Sequence, residues 1–312
     1  MRNTQSTWYA LVIFGVAYVL FPLVLHVKHA HADAMPRTAR HTFSGDYDYA
    51  VQDQETIRRS FPVTPGAGHK LLTVDNVFGS IVVTGTDGNE VQLVANKKLR
   101  AETKAKLELA RKEVTLDVTD QPDSLKLYVN GPFRCQCDGG CNGSHWDDAG
   151  YRVIWDFDLR VPRNMDLELK TVNSGDIQVK DVRGEYSVRN VNGTIDMTNV
   201  AGSGTVHTVN GHVKVSFREN PRESSSFKTV NGAVDLYFSR NLSADFRFKT
   251  FNGGIYTDFP VTTLPAQAAQ EEHEGNKVVY RASRFTGGRV GSGGPEIKIE
   301  TLNGDIRILE KP

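Results

Sequence analysis

Three cysteines and a histidine crowd into the eleven residues C-Q-C-D-G-G-C-N-G-S-H, which hold Cys135, Cys137, Cys141 and His145. Three thiolates and an imidazole are a tetrahedral Zn donor set, and the glycines between them would let a loop close round the ion. The spacing, C-x-C-x3-C-x3-H, matches no standard C-x-x-C pair. In an oxidising compartment such thiols pair instead. Cys135 and Cys137 are roughly 6.6 Å apart on an extended chain, near the upper limit for a bridge, so Cys141 is the expected partner of either. A disulfide with one thiol left over is the expectation and Zn the alternative. No metal site is assigned.

Carboxylates are the other candidates. Asp176, Asp196, Asp235 and Asp305 recur at related places in the chain, and a polysaccharide-active enzyme would need two of them about 5 to 9 Å apart, one with a raised pKa. His207 and His212 flank one Asn-Gly pair without an obvious third ligand. The Gly-rich run from Gly287 lacks the Gly-Lys-Ser/Thr that holds a nucleotide phosphate, and no G-x-S-x-G elbow presents a nucleophile. The sequence therefore assigns no catalytic, cofactor-binding or metal residue.

The elements around these residues repeat. K-T-V-N-S-G (from Lys170), R-N-V-N-G (Arg189), H-T-V-N-G (His207), K-T-V-N-G (Lys228), K-T-F-N-G (Lys249) and E-T-L-N-G (Glu300) share one pattern, with a looser copy around Asn76. Asn173, Asn192, Asn210, Asn231 and Asn252 lie 19, 18, 21 and 21 residues apart, the length of one β-solenoid coil and too short for helix pairs. Leu167, Leu169 and Thr171 alternate with Glu168 and Lys170, as a strand with one buried face does. The Asn-Gly pair turns the chain, and alternation resumes at Ile195 and Met197 or Val213 and Val215. A hairpin at each Asn-Gly is the competing reading. Recurrence of the whole unit favours stacking, with Val172, Val191, Val209, Val230, Phe251 and Leu302 equivalent in successive coils. Gly193, Gly211 and Gly232 are expected at positive φ. Asp196, Lys214 and Asp235 should stack with alternating sign.

The fold class expected is thus all-β: a mainly parallel, right-handed β-solenoid with one short surface helix over 102–113 and an irregular Cys-containing loop. Boundaries follow: 1–32 a signal peptide or anchor, 33–69 a polar segment, 70–165 a first coil region, and 166–312 the repeat array with a polar insertion at about 260–276. The signal reading rests on the uncharged run Trp8–Val27 and the A-H-A ending at Ala32. An uncleaved anchor is the alternative, since 20 residues can span about 30 Å. Either places the remainder in the periplasm or at the cell surface.

Charge narrows the partners. With 37 basic against 37 acidic residues, the chain has a net charge of +0, which removes the general attraction to phosphate that nucleic-acid binders use. Nucleic acid is excluded as a partner, and membrane contact is expected only through residues 8–27.

The run V-D-N-V-F-G-S-I-V-V-T-G-T-D-G-N-E-V from Val74, the Lys/Arg/Glu-rich helix, the V-P-R strand start at Val161, the T-V-N-G units and the closing G-G-P-E-I-K-I-E-T-L-N-G-D-I from Gly293 together resemble the bacterial putative-adhesin family of unknown function, over roughly residues 70–312. The resemblance implies an exported β-solenoid at the cell envelope that binds or scaffolds an envelope or extracellular protein or polysaccharide, without known catalytic residues. A polysaccharide-active β-helix enzyme and an envelope-stress sensor are the alternatives.

Overall fold

Alternation of buried and exposed residues carries through nearly every strand. The computed structural model describes residues 49–63, 69–134, 149–265, 270–274, 277–281 and 285–311, all within the unit Asp46–Pro312. The expected signal segment 1–32, Cys135, Cys137, Cys141 and His145 lie outside the described residues. In chain order come β1 (Val51–Pro62), β2 (Lys70–Asp75), β3 (Ile81–Thr86), β4 (Glu90–Ala101), α1 (Lys104–Glu113), β5 (Thr115–Asp120), β6 (Ser124–Asn130) and β7 (Tyr151–Pro162). The repeats supply β8 (Met165–Lys170), β9 (Ile177–Lys180), β10 (Tyr186–Arg189), β11 (Ile195–Val200), β12 (Gly204–His207), β13 (Val213–Phe217), β14 (Ser225–Lys228), β15 (Val234–Phe238), β16 (Ala244–Lys249) and β17 (Ile255–Thr257). The insertion holds β18 (Val261–Leu264), β19 (Gln270–Glu274), β20 (Lys277–Arg281) and β21 (Thr286–Val290), and the chain closes with β22 (Glu296–Glu300) and β23 (Ile306–Glu310).

The protein is all-β with one short helix among the described residues, built as two large sheets of mixed strand orientation. The first sheet runs β1-β4-β7-β3-β9-β11-β13-β15-β23-β17 and the second β18-β21-β16-β22-β14-β12-β10-β8-β2-β6-β5. Each repeat gives one strand to the second sheet, turns at Asn-Gly, and gives the next strand to the first. Neighbouring repeat strands pair parallel and in register, as in Val188 opposite Leu169 and Val206, or Met197 opposite Val179 and Val215. No hairpin forms at these corners.

The inward residues of the two sheets make one core. Phe217 and Phe238 stack at 4.9 Å in the first sheet, while Phe217 meets Phe227, and Phe238 meets Phe246, edge-on across the interior. Burying such rings is a large part of what drives coils together, at roughly 1.5 to 3 kcal/mol for a full side chain.

Coil order departs from chain order. β22 lies between β14 and β16, and β23 between β15 and β17, so the last repeat, 296–310, slots between the 225–238 and 244–257 coils. The expectation of stacking in sequence order is corrected here, although the equivalence of the positions holds: Asn303 bridges both Asn231 and Asn252. The physical reason is that every corner presents the same groups on both sides, so any coil fits beside any other. The insertion supplies the return path, with β21 pairing antiparallel to β16 before the chain turns back.

At the other end β1, β4 and β7 pair antiparallel, and α1 packs there through buried Leu107 and Ala110. Thr103 caps the helix by accepting from the Lys106 N–H at 3.2 Å, and Arg111 and Lys112 sit in its last turn where they favour the dipole. No helix among the described residues is long and apolar enough to cross a membrane.

Candidate functional site

The Asn-Gly corner comes first because most of the singled-out residues lie on it. Asn192 Nδ2 donates to Asn173 Oδ1 at 2.8 Å, Asn210 to Asn192 at 2.8 Å, Asn231 to Asn210 at 2.8 Å, Asn303 to Asn231 at 2.7 Å, and Asn252 to Asn303 at 2.7 Å. One side-chain amide ladder thus runs along the corner. Beneath it, the residue two before each Asn reaches the carbonyl of a glycine in the adjoining coil: Thr208 Oγ1 to Gly193 O and Thr229 Oγ1 to Gly211 O, both at 2.9 Å. Asn190 Nδ2 makes the same bond to Gly175 O at 2.9 Å. Thr171, Thr208, Thr229 and Thr301 are buried, so these hydroxyls satisfy groups that water cannot reach.

Of the three glycines expected at positive φ, Gly232 has it, at 158°, whereas Gly193 and Gly211 do not. What each lacks is room. A Cβ on Gly211 would stand 2.1 Å from Gly193 O, and one on Gly232 would stand 2.1 Å from Gly211 O.

The four candidate acids are spread along this scaffold as structural acceptors. Asp176 Oδ1 accepts the Thr194 N–H at 2.7 Å, and Asp305 Oδ1 accepts that of Gly254 at 3.0 Å. Asp196 lies opposite Lys214, and Lys214 opposite Asp235, as the alternating register requires. Asp235 and Asp305 alone meet, through Arg307, whose guanidinium lies 3.4 Å from one and 2.9 Å from the other. The Gly254 N–H, with Arg307 beside it, holds Asp305 below the usual carboxylate range. A general acid needs the opposite shift. His212 Nδ1 accepts the Ala233 N–H at 3.1 Å, another structural bond. Among the described residues, no group of three or more His, Cys, Asp or Glu side chains is placed to hold a metal ion.

The second sheet's outer face carries what the sequence reading missed. The register aligns Asp75, Lys170, Arg189, His207, Lys228, Glu300 and Lys249 in one row. Two residues earlier on each strand lies a row that includes Ser187, Thr205 and Ser226. Asp75 lies 3.9 Å from Lys170, and Glu300 3.7 Å from Lys228 and 2.5 Å from Lys249. Burial tends to raise the Glu300 pKa, but Lys249 and Lys228 outweigh it and hold the carboxyl low. The His207 pKa is held below its ordinary value by burial and by Lys228 and Arg189, and its Nε2 is buried with no hydrogen-bond partner among the described residues. The signal was present in the repeats, whose first letters read K, R, H, K, K and E. At the start of the same strands lie two adjoining hollows of about 430 and 470 Å³, sharing Asp166, Glu185, Ser203 and Glu223.

Residues 163–309 match the Toastrack DUF4097 family, and no curated protein matches the chain. Among solved structures, a putative cell adhesion protein from Clostridium sporogenes ATCC 15579 is 11% identical with a TM-score of 0.33, over 82% of this chain and 100% of that one. A putative adhesin from Bacteroides fragilis NCTC 9343 gives 11% and 0.33 over 82% and 97%. A putative lipid binding protein from Parabacteroides distasonis ATCC 8503 gives 11% and 0.24 over 82% and 97%. Superpositions this loose say nothing of function. The family match falls on the coils that the repeat motif had marked out, over residues 163–309.

Proposed function

We propose that this chain is an exported, non-enzymatic β-solenoid that offers its long repetitive faces as a binding or scaffolding surface in the cell envelope, for a protein or polysaccharide ligand. The coils are taken to wind right-handed, as parallel crossovers overwhelmingly do. The observation that carries the reading is the use made of the candidate acids: Asp176 and Asp305 accept backbone N–H groups of the next coil, and Asp235 and Asp305 share Arg307. Side chains spent in this way hold coils together and keep the outer faces straight. Export rests on the uncharged run 8–27 and the A-H-A ending at Ala32.

Fractionation of cells making the full chain, followed by capture from envelope extracts, tests this. The protein is expected in the envelope fraction with a retained envelope component. Residence in the cytoplasm, or a polysaccharide-cleaving activity lost in Asp305→Asn, would overturn it.

A further inference from the structure

The two outer faces treat charge in opposite ways. On the first sheet the row Asp196, Lys214, Asp235, Arg307 alternates in sign from coil to coil, the arrangement that favours a sheet. On the second, Lys170 lies opposite Arg189, Arg189 opposite His207, and His207 opposite Lys228, with no acid between them. Lys170 and Arg189, like charges on neighbouring strands, work against the sheet, and His207, its pKa lowered, gives Arg189 and Lys228 an uncharged neighbour where an acid would serve better. Arg189, which is exposed, has no ion-pair partner among the described residues. A row that sacrifices stability in a molecule that solves the same problem elsewhere points to an external counter-charge.

What lies beside the row narrows the counter-charge. Ser187, Thr205 and Ser226 face outward on the same strands, in register with one another, and their hydroxyls make no hydrogen bond among the described residues. Lys170, Arg189 and Lys228, with His207 between the last two, therefore run parallel to a line of hydroxyls unbonded among the described residues, with about 4.8 Å from strand to strand. From Lys170 to Lys228, before Glu300 interrupts it, the row covers three such steps, or about 14 Å. Resting on the surface-binding reading above, we propose that this face binds a linear acidic polysaccharide lying across the strands. Its carboxylates meet Lys170, Arg189 and Lys228, and its hydroxyls meet Ser187, Thr205 and Ser226.

The borders of the face agree. Glu168 ends the hydroxyl row, and Glu185 and Glu223 line the hollow along the strand starts, so a polyanion is repelled from that margin and held over the cations. Phe285 lies under the ammonium groups of Lys249 and Lys298, at 5.5 and 4.7 Å from the ring centre.

The test uses the full chain and polygalacturonate, with neutral dextran and phosphatidylglycerol vesicles as comparisons, in titrations at two ionic strengths. Polygalacturonate is expected to bind, more weakly at higher salt, and dextran not. Together, Lys170→Gln, Arg189→Gln and Lys228→Gln should weaken binding at least about tenfold. Lys180→Gln with Lys214→Gln, on the other sheet, should leave it within about twofold. The triple variant should melt close to the parent, because the like-charge contact of Lys170 with Arg189 is lost together with the half-exposed pairs Lys170–Asp75 and Lys228–Glu300, each worth little. No binding of polygalacturonate, equal loss in the two variants, or binding to the vesicles alone overturns the inference. Envelope capture without polygalacturonate binding overturns it while leaving the surface-binding reading intact; loss of envelope capture removes both.

Discussion

Replacing Gly211 by alanine asks whether the corner glycines exist for close stacking. The added Cβ would stand 2.1 Å from Gly193 O, 2.5 Å from Gly193 C and 3.0 Å from Thr194 N. All three are backbone atoms, so no side chain can swing away. Restoring an ordinary contact opens the coils by about 1 Å at this point. Overpacking of this kind costs about 1 to 3 kcal/mol. The strain also falls on the Gly211 N–H bond to Asn231 O at 3.0 Å and the Thr229 bond to Gly211 O at 2.9 Å, each worth about 1 kcal/mol. A loss of about 3 kcal/mol is expected, which in a chain of this size lowers the melting temperature by roughly 6 to 12 °C. Thermal unfolding followed by circular dichroism reads it. Gly88→Ala is the control, since its Cβ would meet only Thr86 Oγ1 at 3.5 Å, and it should change little. If Gly211→Ala lay within about 0.5 kcal/mol of the parent, the range of an ordinary surface change, the stacking account would be refuted.

Thr229→Val keeps the shape but leaves Gly211 O without its buried donor, so urea unfolding should show a loss of about 1 to 3 kcal/mol. Asp196→Ala should be nearly silent in the same assay, within about 1 kcal/mol, because its partners are exposed; a larger loss would mean that the charge row on the first sheet is structural. His207 gives a pH dependence: its folded pKa lies below the unfolded value, first through burial and then through Lys228 and Arg189, against an opposing pull from Glu300. The unfolded state then binds the proton more readily, so stability is complete above about pH 6.5 and declines as the pH falls from there through the folded pKa. In His207→Gln that part of the slope should vanish from a melting-temperature series, and an unchanged series would show that His207 does not contribute.

How much of this was legible follows from what each feature depends on. Asn192, Asn210 and Asn231 sit at a fixed distance from alternating apolar residues, so two sheets joined at Asn-Gly corners could be read from spacing alone. Coil order could not, because Asn303 offers the same donor, acceptor and glycine as Asn231 and Asn252, and identical corners carry no information about which neighbour they take. The glycine requirement was recognised, but at Gly193 and Gly211 its cause was misassigned: φ belongs to one residue, whereas the 2.1 Å approach of Gly193 O to a Cβ at Gly211 exists only once coils are stacked. The same holds for the cation row. Lys170, Arg189, His207 and Lys228 are 18 to 21 residues apart in sequence, too far to interact along the chain, and parallel in-register pairing turns them into neighbours about 4.8 Å apart. A repeat therefore multiplies whatever stands at each position. On the first sheet that position alternates in sign and the coils gain by it. On the second it does not, and the corner ladder of Asn and Thr hydrogen bonds holds the stack together against the resulting repulsion. Binding and stability are in this way assigned to different columns of one repeat, which is why Thr229→Val should destabilise the protein without changing its surface, and Arg189→Gln should change its surface without destabilising it.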